Sequence, residues 1–543
     1  MNKKLFRLSL FLLSSLLLSC GEWESNVATG NKNQVLHFGN GTEPSGLDPQ
    51  TVTGVPESNI LNSLLEGLVA VHPKDLRIIP GVAKKWELSD NLLEYTFHLR
   101  RDAKWSNGDT VTAHDFVYSW QRILSPELAA EYAYMLYYLE NAEAFNRGQI
   151  SDFSKVGVKA LDNFTLKVKL RSPTPFFLSL IGGHYSAYPV HKPTIEKFGS
   201  MTKRNSTWTR QENFVGNGAF YIAERKLNRP LRVKKNPHYW DNRHVKLEEI
   251  IFYPTENVTT EELLFRSNQL HYTNDLPAGK FAVYKKKSPE LLKSFPYLGS
   301  YYYTFNIKRK PFDDLRVRKA LSLAVNRKDI VEKITKQGQL PAYAYVPPNI
   351  QTYKPIVKIK EDIEEARRLL ADAGFPNGEG FPKIELLYNT NEAHKKVAVA
   401  VQDMLKKALN IEIELVNQEW KVYLASTNNG DFGFARQGWI GDYPDPNTFL
   451  DMFVTGGGNN DGKWSNQEYD QLIAKAGQLD DQDERFALFQ QAEKILIDDM
   501  AILPIYYYST KHLMSPSVKG LYPNVLDSIN FKFVSLSKNM ESQ

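Results

Sequence analysis

IELLYNTNEAHKKVAVAVQDMLKKALNIEIELV, from Ile384 to Val416, changes its hydrophobic pattern twice within one short span. Ile384 to Tyr388 is an apolar run of strand length. His394 to Leu409 then takes up a helical period, and Ile411 to Val416 returns to a strand. Strand, helix and strand in this order predict parallel pairing, because parallel neighbours need a crossover between them.

The same mixture recurs on both sides of this unit. Val35 to Phe38 opens an extended segment ahead of the turn-rich GNGTEPSGLDP, and Asn59 to Val69 reads as a helix with Ile60, Leu61, Leu64, Leu65 and Leu68 on one apolar face. Glu94 to Leu99 alternates like a half-buried strand, Asn107-Gly108-Asp109 marks a turn, and Ala113 to Ile123 is helical. Val156 to Leu170 gives two strands broken at Asp162-Asn163, closed by Ser172 to Pro175. Asp313 is placed to cap a helix running through Arg316 to Asn326. Glu361 to Ala373 carries Ala366, Leu369, Leu370 and Ala373 at helical spacing and stops at Gly374 and Pro376. No fixed-length repeat and no low-complexity tract interrupts the series, so the fold class is α/β.

Of the 543 residues, 42% are hydrophobic and 24% charged, a globular composition with room for two to four domains. A formal charge of +5 without a long basic run leaves nucleic-acid binding no electrostatic footprint. Two triple-tyrosine runs, Tyr301 to Tyr303 and Tyr506 to Tyr508, sit in strand-like contexts. Their rings serve either a core or a ligand cavity edged by hydroxyls, and the sequence leaves both readings open.

The N-terminus has the form of an export signal. Lys3, Lys4 and Arg7 precede the apolar run LSLFLLSSLLL, which is too short for a stable membrane span. The run ends at Leu17-Leu18-Ser19-Cys20, and Cys20 is the single cysteine of the chain. Leu-x-small-Cys at this place resembles a bacterial lipobox, so residues 1–19 are expected to be removed and Cys20 to carry lipid. Residues 20–34, mostly polar and small, are expected to form a flexible tether. Without another cysteine there are no disulfides, and the exported fold must stand on its core.

Several chemistries find no support. Gly457 to Lys463 (GGNNDGK) matches the first seven positions of a phosphate-binding loop, but the eighth, which must be Ser or Thr, is Trp464. It therefore reads as a flexible surface loop. There is no H-E-x-x-H, no cysteine cluster and no G-x-S-x-G, and the 11 histidines are scattered. No metal or cofactor is expected. One segment stands out: RQGWIGDYPDPNTFL, Arg436 to Leu450, sets Asp442 among aromatic residues and two prolines. Asp442 with Asp445 or Glu419 could form the acid pair of a peptide or glycan hydrolase, although a proline between Asp442 and Asp445 fixes no known acid/base geometry.

Five segments in one order carry a resemblance. They are GVPESN (Gly54 to Asn59), TFHLRRDAKWSNGDTVTAHDFVYSWQR (Thr96 to Arg122), LLYNTNEAHKK (Leu386 to Lys396), NQEWK (Asn417 to Lys421) and the Arg436 to Leu450 segment. Together they resemble the periplasmic oligopeptide-binding proteins, the large three-domain solute-binding proteins of ABC importers, from about Val35 to the C-terminus. The resemblance implies a two-lobed periplasmic-binding-protein-like fold with an extra inserted domain and two crossover strands, closing on its ligand like a hinged trap. Domain I would comprise residues 35–65, 191–298 and 509–543, domain II residues 66–190, and domain III residues 299–508. The tyrosine runs would then fall at the crossings.

The same resemblance assigns residues. Asp442 would bind the α-ammonium of a peptide, and Arg436 and His394 would neutralise its C-terminus. Trp439, Trp420 and Tyr132 would line pockets, while Val55, Gly438 and Ile440 would lie in segments whose backbone pairs with the peptide. This chain has Thr53 and Thr427 where the best-known relatives carry a Glu and an Arg near side-chain pockets. It has Thr335 where they carry a Lys, so length preference and side-chain selectivity are left open. The implied function is that of an extracytoplasmic, lipid-anchored receptor that does no chemistry, acts as a monomer and delivers oligopeptides to an ABC permease and its ATPase. Murein peptides, signalling peptides or another small solute are alternatives within the same class.

Overall fold

The computed structural model describes residues 24–538, apart from 349, 351 and 480. The export signal and Cys20 lie outside the described residues. Three main sheets organise the chain, and each draws on its own stretches of sequence. The first pairs Val35–Gly39 in parallel with Glu249–Tyr253, then adds Leu231–Lys235 and Phe220–Glu224 antiparallel. The second is antiparallel, in the order Ala83–Leu88, Glu94–Leu99, Thr165–Lys169, Val158–Asp162. The third has six strands in the order Leu340–Pro341, Ile502–Ser509, Pro296–Phe305, Phe434–Ile440, Ile384–Asn389, Ile413–Gln418.

The parallel unit expected at 384–416 is present, with Ile384 opposite Ile413 and Tyr388 opposite Asn417. Its crossover helix spans Glu392–Leu409, begins at the Asn391 cap and buries Val397, Ala398, Val401, Leu405, Ala408 and Leu409. Burial of such a stripe, rather than helix propensity, fixes the element. The helices at Ala113–Leu124 and Ile363–Asp372 also stand where their apolar spacing puts them. Leu315–Leu323 is helical too, but Asp314 rather than Asp313 caps it, accepting from the backbone of Arg316.

Three expectations are corrected. Asn26–Asn33, assigned to the flexible tether of residues 20–34, is a helix with Ser25 as its cap. Val27 and Asn31 are buried, and the Val27 amide donates to Asn268, so the segment belongs to the folded body. The helix expected at Asn59–Val69 runs instead over Val55–Leu64, because the chain turns extended at Leu65 and Val69–Val71 joins a two-stranded ribbon. Leu65 and Leu68 remain buried, but from extended backbone, so the apolar run outlasts the helix. The loop at 457–463 is not a free surface loop. Asn460 is buried and donates to the carbonyls of Phe453, Val454 and Trp464.

The tyrosine runs occupy adjacent antiparallel strands, Pro296–Phe305 and Ile502–Ser509, with register irregularities at both ends of Ser300–Tyr301. Tyr301, Tyr302, Tyr303 and Tyr506 are all buried and belong to the core, while Tyr302 and Tyr508 also form cavity wall. Near these strands' outer ends, Leu292–Lys293 pairs with His512–Leu513, so the two run side by side towards the first sheet. The second-sheet segment packs directly on the six-stranded segment. Phe176 stacks on Tyr443 with centroids 5.1 Å apart, and Asn447 donates to the Tyr138 hydroxyl at 2.5 Å. Among the described residues no helix is long and apolar enough to cross a membrane.

Candidate functional site

A cavity of about 390 Å³ lies where the three sheet segments meet. All nine residues assigned to a ligand line it: Val55, Tyr132, His394, Trp420, Arg436, Gly438, Trp439, Ile440 and Asp442. Thr53 and Thr427 line it as well. Thr335 does not: it is buried elsewhere, with its hydroxyl bonded to Gln339.

The strand Phe434–Ile440 is the spine of this cavity. One edge pairs along its length with Pro296–Phe305, from Phe305↔Phe434 to Gly299↔Ile440. On the other edge, Ile384–Asn389 pairs only with Phe434 and Ala435. From Arg436 to Ile440 that edge is open. Backbone bonds from Gly441 to Leu298 and from Asn306 to Gly433 set the alternation, so the amides of Arg436, Gly438 and Ile440 face the open edge. The Tyr423 hydroxyl fills the Arg436 carbonyl. Gly438 is required by close approach, since a Cβ there would lie 2.6 Å from the Tyr508 hydroxyl and 2.9 Å from Nη2 of Arg436.

Opposite charges stand along this edge. The Arg436 guanidinium donates to the Tyr508 hydroxyl at 2.6 Å and to Oδ1 of Asn389 at 3.3 Å, and lies 4.7 Å from the centre of the Tyr301 ring. Its Nε is buried without a partner, and among the described residues no carboxylate forms an ion pair with it. His394 packs beside the same ring, its Nδ1 buried and unpartnered. Burial and then the Arg436 charge push the His394 imidazole well below its ordinary pKa, so it is neutral.

Asp442 follows the end of the strand, where the chain bends ahead of Pro444. Its amide donates to Oγ1 of Thr448 at 3.0 Å, and that hydroxyl donates to Oδ2 at 3.2 Å. Oδ1 is 3.5 Å from Nε2 of His184. Burial drives the Asp442 carboxyl up to about 7, with the Thr448 hydroxyl opposing it weakly. Across the cavity, Trp420 donates to Oε1 of the buried Glu57 at 3.4 Å, and burial raises Glu57 too.

The acid pairs of a hydrolase do not assemble. Both oxygens of Asp445 are held by Arg485, at 3.1 and 3.0 Å, in a buried bidentate pair. Glu419 caps the helix Trp420–Asn429 by accepting from Lys421 and Val422. Neither is free to act with Asp442.

Residues 77–461 match the family model described as bacterial extracellular solute-binding proteins, family 5 Middle. The chain belongs to this family. Its members are solute-binding proteins rather than enzymes. The periplasmic oligopeptide-binding protein OppA of Salmonella typhimurium is 38% identical, across 97% of this chain and 98% of that one. The solved structure of Haemophilus influenzae OppA in complex with RPPGFSPFR aligns with a TM-score of 0.88 at 37% identity, covering 93% of this chain and 99% of that chain. The Escherichia coli murein tripeptide-binding protein MppA also reaches 0.88, at 35% identity, covering 92% and 98%. MppA in its unliganded open form aligns at only 0.62, with 35% identity over 93% and 98%. The segments of this family member are therefore set differently from those of that open form.

Sequence reasoning missed several ionisable groups of the cavity, among them Glu261, Lys511 and Asp527, and two that bear on the strand Phe434–Ile440 and its end. His184 faces Asp442 from the second-sheet segment, and Asp461 enters from the loop at 457–463. Nothing local marks either residue, because each acquires its role from a neighbour hundreds or tens of residues away.

Proposed function

We propose that the chain is an extracytoplasmic receptor that encloses an extended oligopeptide between two lobes and delivers it to an ABC import permease with its ATPase. One observation carries this reading: the open strand edge from Arg436 to Ile440 runs between an unpaired guanidinium at Arg436 and a carboxylate without a cation at Asp442. A peptide laid along that edge adds a strand, using main-chain bonds that ignore side-chain identity. Its α-ammonium falls to Asp442, and its carboxylate falls to Arg436 with His394 beside it. Six residues of extended chain span at most roughly 20 Å, which suits ligands of two to five residues. Trp439, Trp420 and Tyr132 form pocket walls, and Val55 brings the free N-terminal turn of its helix to the cavity.

Residues 35–65, 191–298 and 509–543 act as one body, residues 66–190 as an inserted domain and residues 299–508 as the closing lobe. The paired tyrosine strands serve as the hinge. Cys20 carries a lipid anchor after removal of residues 1–19, and the receptor works as a monomer on the outer side of a membrane. The test is native mass spectrometry of purified mature protein, followed by denaturation to identify what co-purified. A ladder of mixed short peptides is expected, and a single unrelated small molecule overturns the ligand class. Intact mass of the membrane-extracted protein tests the anchor, which demands a diacylglyceryl-cysteine N-terminus.

A further inference from the structure

Asp461 is another carboxylate of the cavity without a cation, on the other face of the Phe434–Ile440 strand from Arg436. Gln437 projects from the face of the strand opposite Arg436 and Gly438, and its Nε2 donates to Oδ2 of Asp461 at 2.9 Å. Oδ1 of Asp461 is shut off from solvent and has no hydrogen-bond partner. The residues sharing this part of the cavity are neutral: Tyr302, Thr427, Asn428 and Asn459. Behind them stands Glu131, whose Oε1 accepts from Arg204 and from Asn428, both at 3.3 Å, and whose Oε2 is buried and unpartnered. Lys463 reaches Asp461 only through its field, and among the described residues no cation of the chain forms an ion pair with Asp461. Burial, reinforced by Glu131, pushes the Asp461 carboxyl up to about 7.

A buried carboxylate with an empty acceptor is costly unless a ligand brings the missing donor and charge. Asp461 lines the cavity with that acceptor just beneath its wall, and the loop that holds it is fixed. Asn460 anchors that loop, and Gly458 lies so close to Glu131 that a Cβ would meet its carbonyl oxygen at 2.5 Å. We propose that Asp461 makes the cavity selective for peptides that carry a cationic side chain, lysine or arginine, between their two termini. The ammonium or guanidinium takes the free Oδ1, while the side chain's apolar stem lies along the Tyr302 ring. This inference rests on the peptide-receptor reading.

The test is titration calorimetry with alanine tripeptides in which lysine, norleucine or glutamate occupies each position in turn. At one position the wild-type protein is expected to bind lysine about ten- to a hundredfold more tightly than norleucine, and glutamate most weakly. Asp461→Asn is expected to bring the lysine-to-norleucine ratio close to one, with Asp461→Thr as a second neutral replacement should Asn fold poorly. Equal affinity for lysine and norleucine at every position overturns the proposal and leaves the peptide reading standing. A preference that survives both replacements also overturns it, by placing selectivity elsewhere. Failure of every tripeptide to bind overturns the peptide reading and the proposal together.

Discussion

His184 and Asp442 face one another from different sheet segments, with Nε2 3.5 Å from Oδ1, yet they do not form an ion pair. Burial alone holds the His184 imidazole near 3. The Ser186 amide donates to its Nδ1, so the ring proton sits on Nε2 and points at Asp442. The carboxylate thus has neutral donors and no cation. Separation alone would describe a salt bridge here, but burial decides otherwise.

Asp442→Asn should weaken binding of an unblocked peptide by several kcal/mol, the range for leaving a buried charge unpaired. N-acetylation of the peptide should cost the wild-type protein a similar amount and cost the variant little. Arg436→Met should behave likewise towards C-terminal amidation. Calorimetric double-mutant cycles measure both couplings, and additive losses would rule out the assigned ends.

Closure of the empty receptor should depend on pH. In the closed cavity Asp442 titrates at about 7, against 3.8 for the solvated group. Below about 3.8 the carboxyl is protonated in both states, so pH has no leverage there. Between 3.8 and 7 the closed state holds a proton that the open state has lost, so closure becomes less favourable as pH rises through this window. At neutral pH the penalty is of order a few kcal/mol. Asp461 acts in the same direction, whereas His184 and His394, lowered by burial, act against it once pH falls below the ordinary imidazole value of 6.5. Small-angle scattering of ligand-free protein should show compaction as pH is lowered from about 7.5 to about 6.5, above the range where the two histidines oppose it, and the change should shrink in Asp442→Asn. A radius independent of pH would refute this linkage.

Gly438→Val should impair binding without unfolding the protein. The added Cβ collides with the Tyr508 hydroxyl and with Arg436, so the guanidinium must move. Overpacking of this kind costs about 1–3 kcal/mol of stability, which should appear as a modestly lower urea midpoint beside a loss of affinity in calorimetry. A variant that binds as tightly as wild type would show that Arg436 need not be fixed.

Arg485→Met should destabilise the fold. Arg485 and Asp445 are almost fully buried; Arg485 donates to both Asp445 oxygens and to the Ala476 carbonyl, and Asp445 also accepts from the Asn447 amide. Removing one partner of a buried pair costs about 3–5 kcal/mol, whereas replacing both by apolar groups costs much less. Urea denaturation of Arg485→Met beside the Arg485→Met, Asp445→Leu double variant measures the difference. Equal stability of the two would contradict this account.

Much of the fold was legible because local pattern and tertiary burial agree. The apolar stripe of Glu392–Leu409 specified both a helix and the face it buries, and the strands on either side specified parallel pairing. Where an apolar run served two elements, as at Val55 to Val71, pattern alone placed the helix end too late. The segment at Asn26–Asn33 has a mean composition that suits a leash. It is ordered instead by contacts such as the Val27 amide's bond to Asn268, which no local window of sequence contains.

The candidate site divides in the same way. The sequence determined the α/β class, the order of the elements and, through five collinear segments, the family and nine residues that meet in one cavity. Only the tertiary structure decided how those residues are charged and which edge of the strand is open. It turned Asp442 into a carboxylate without a cation, neutralised His184 and His394, and brought Asp461 in from a loop that reads as surface. The physical reason is that identity and spacing are written along the chain, whereas desolvation depends on what the rest of the chain packs around a group.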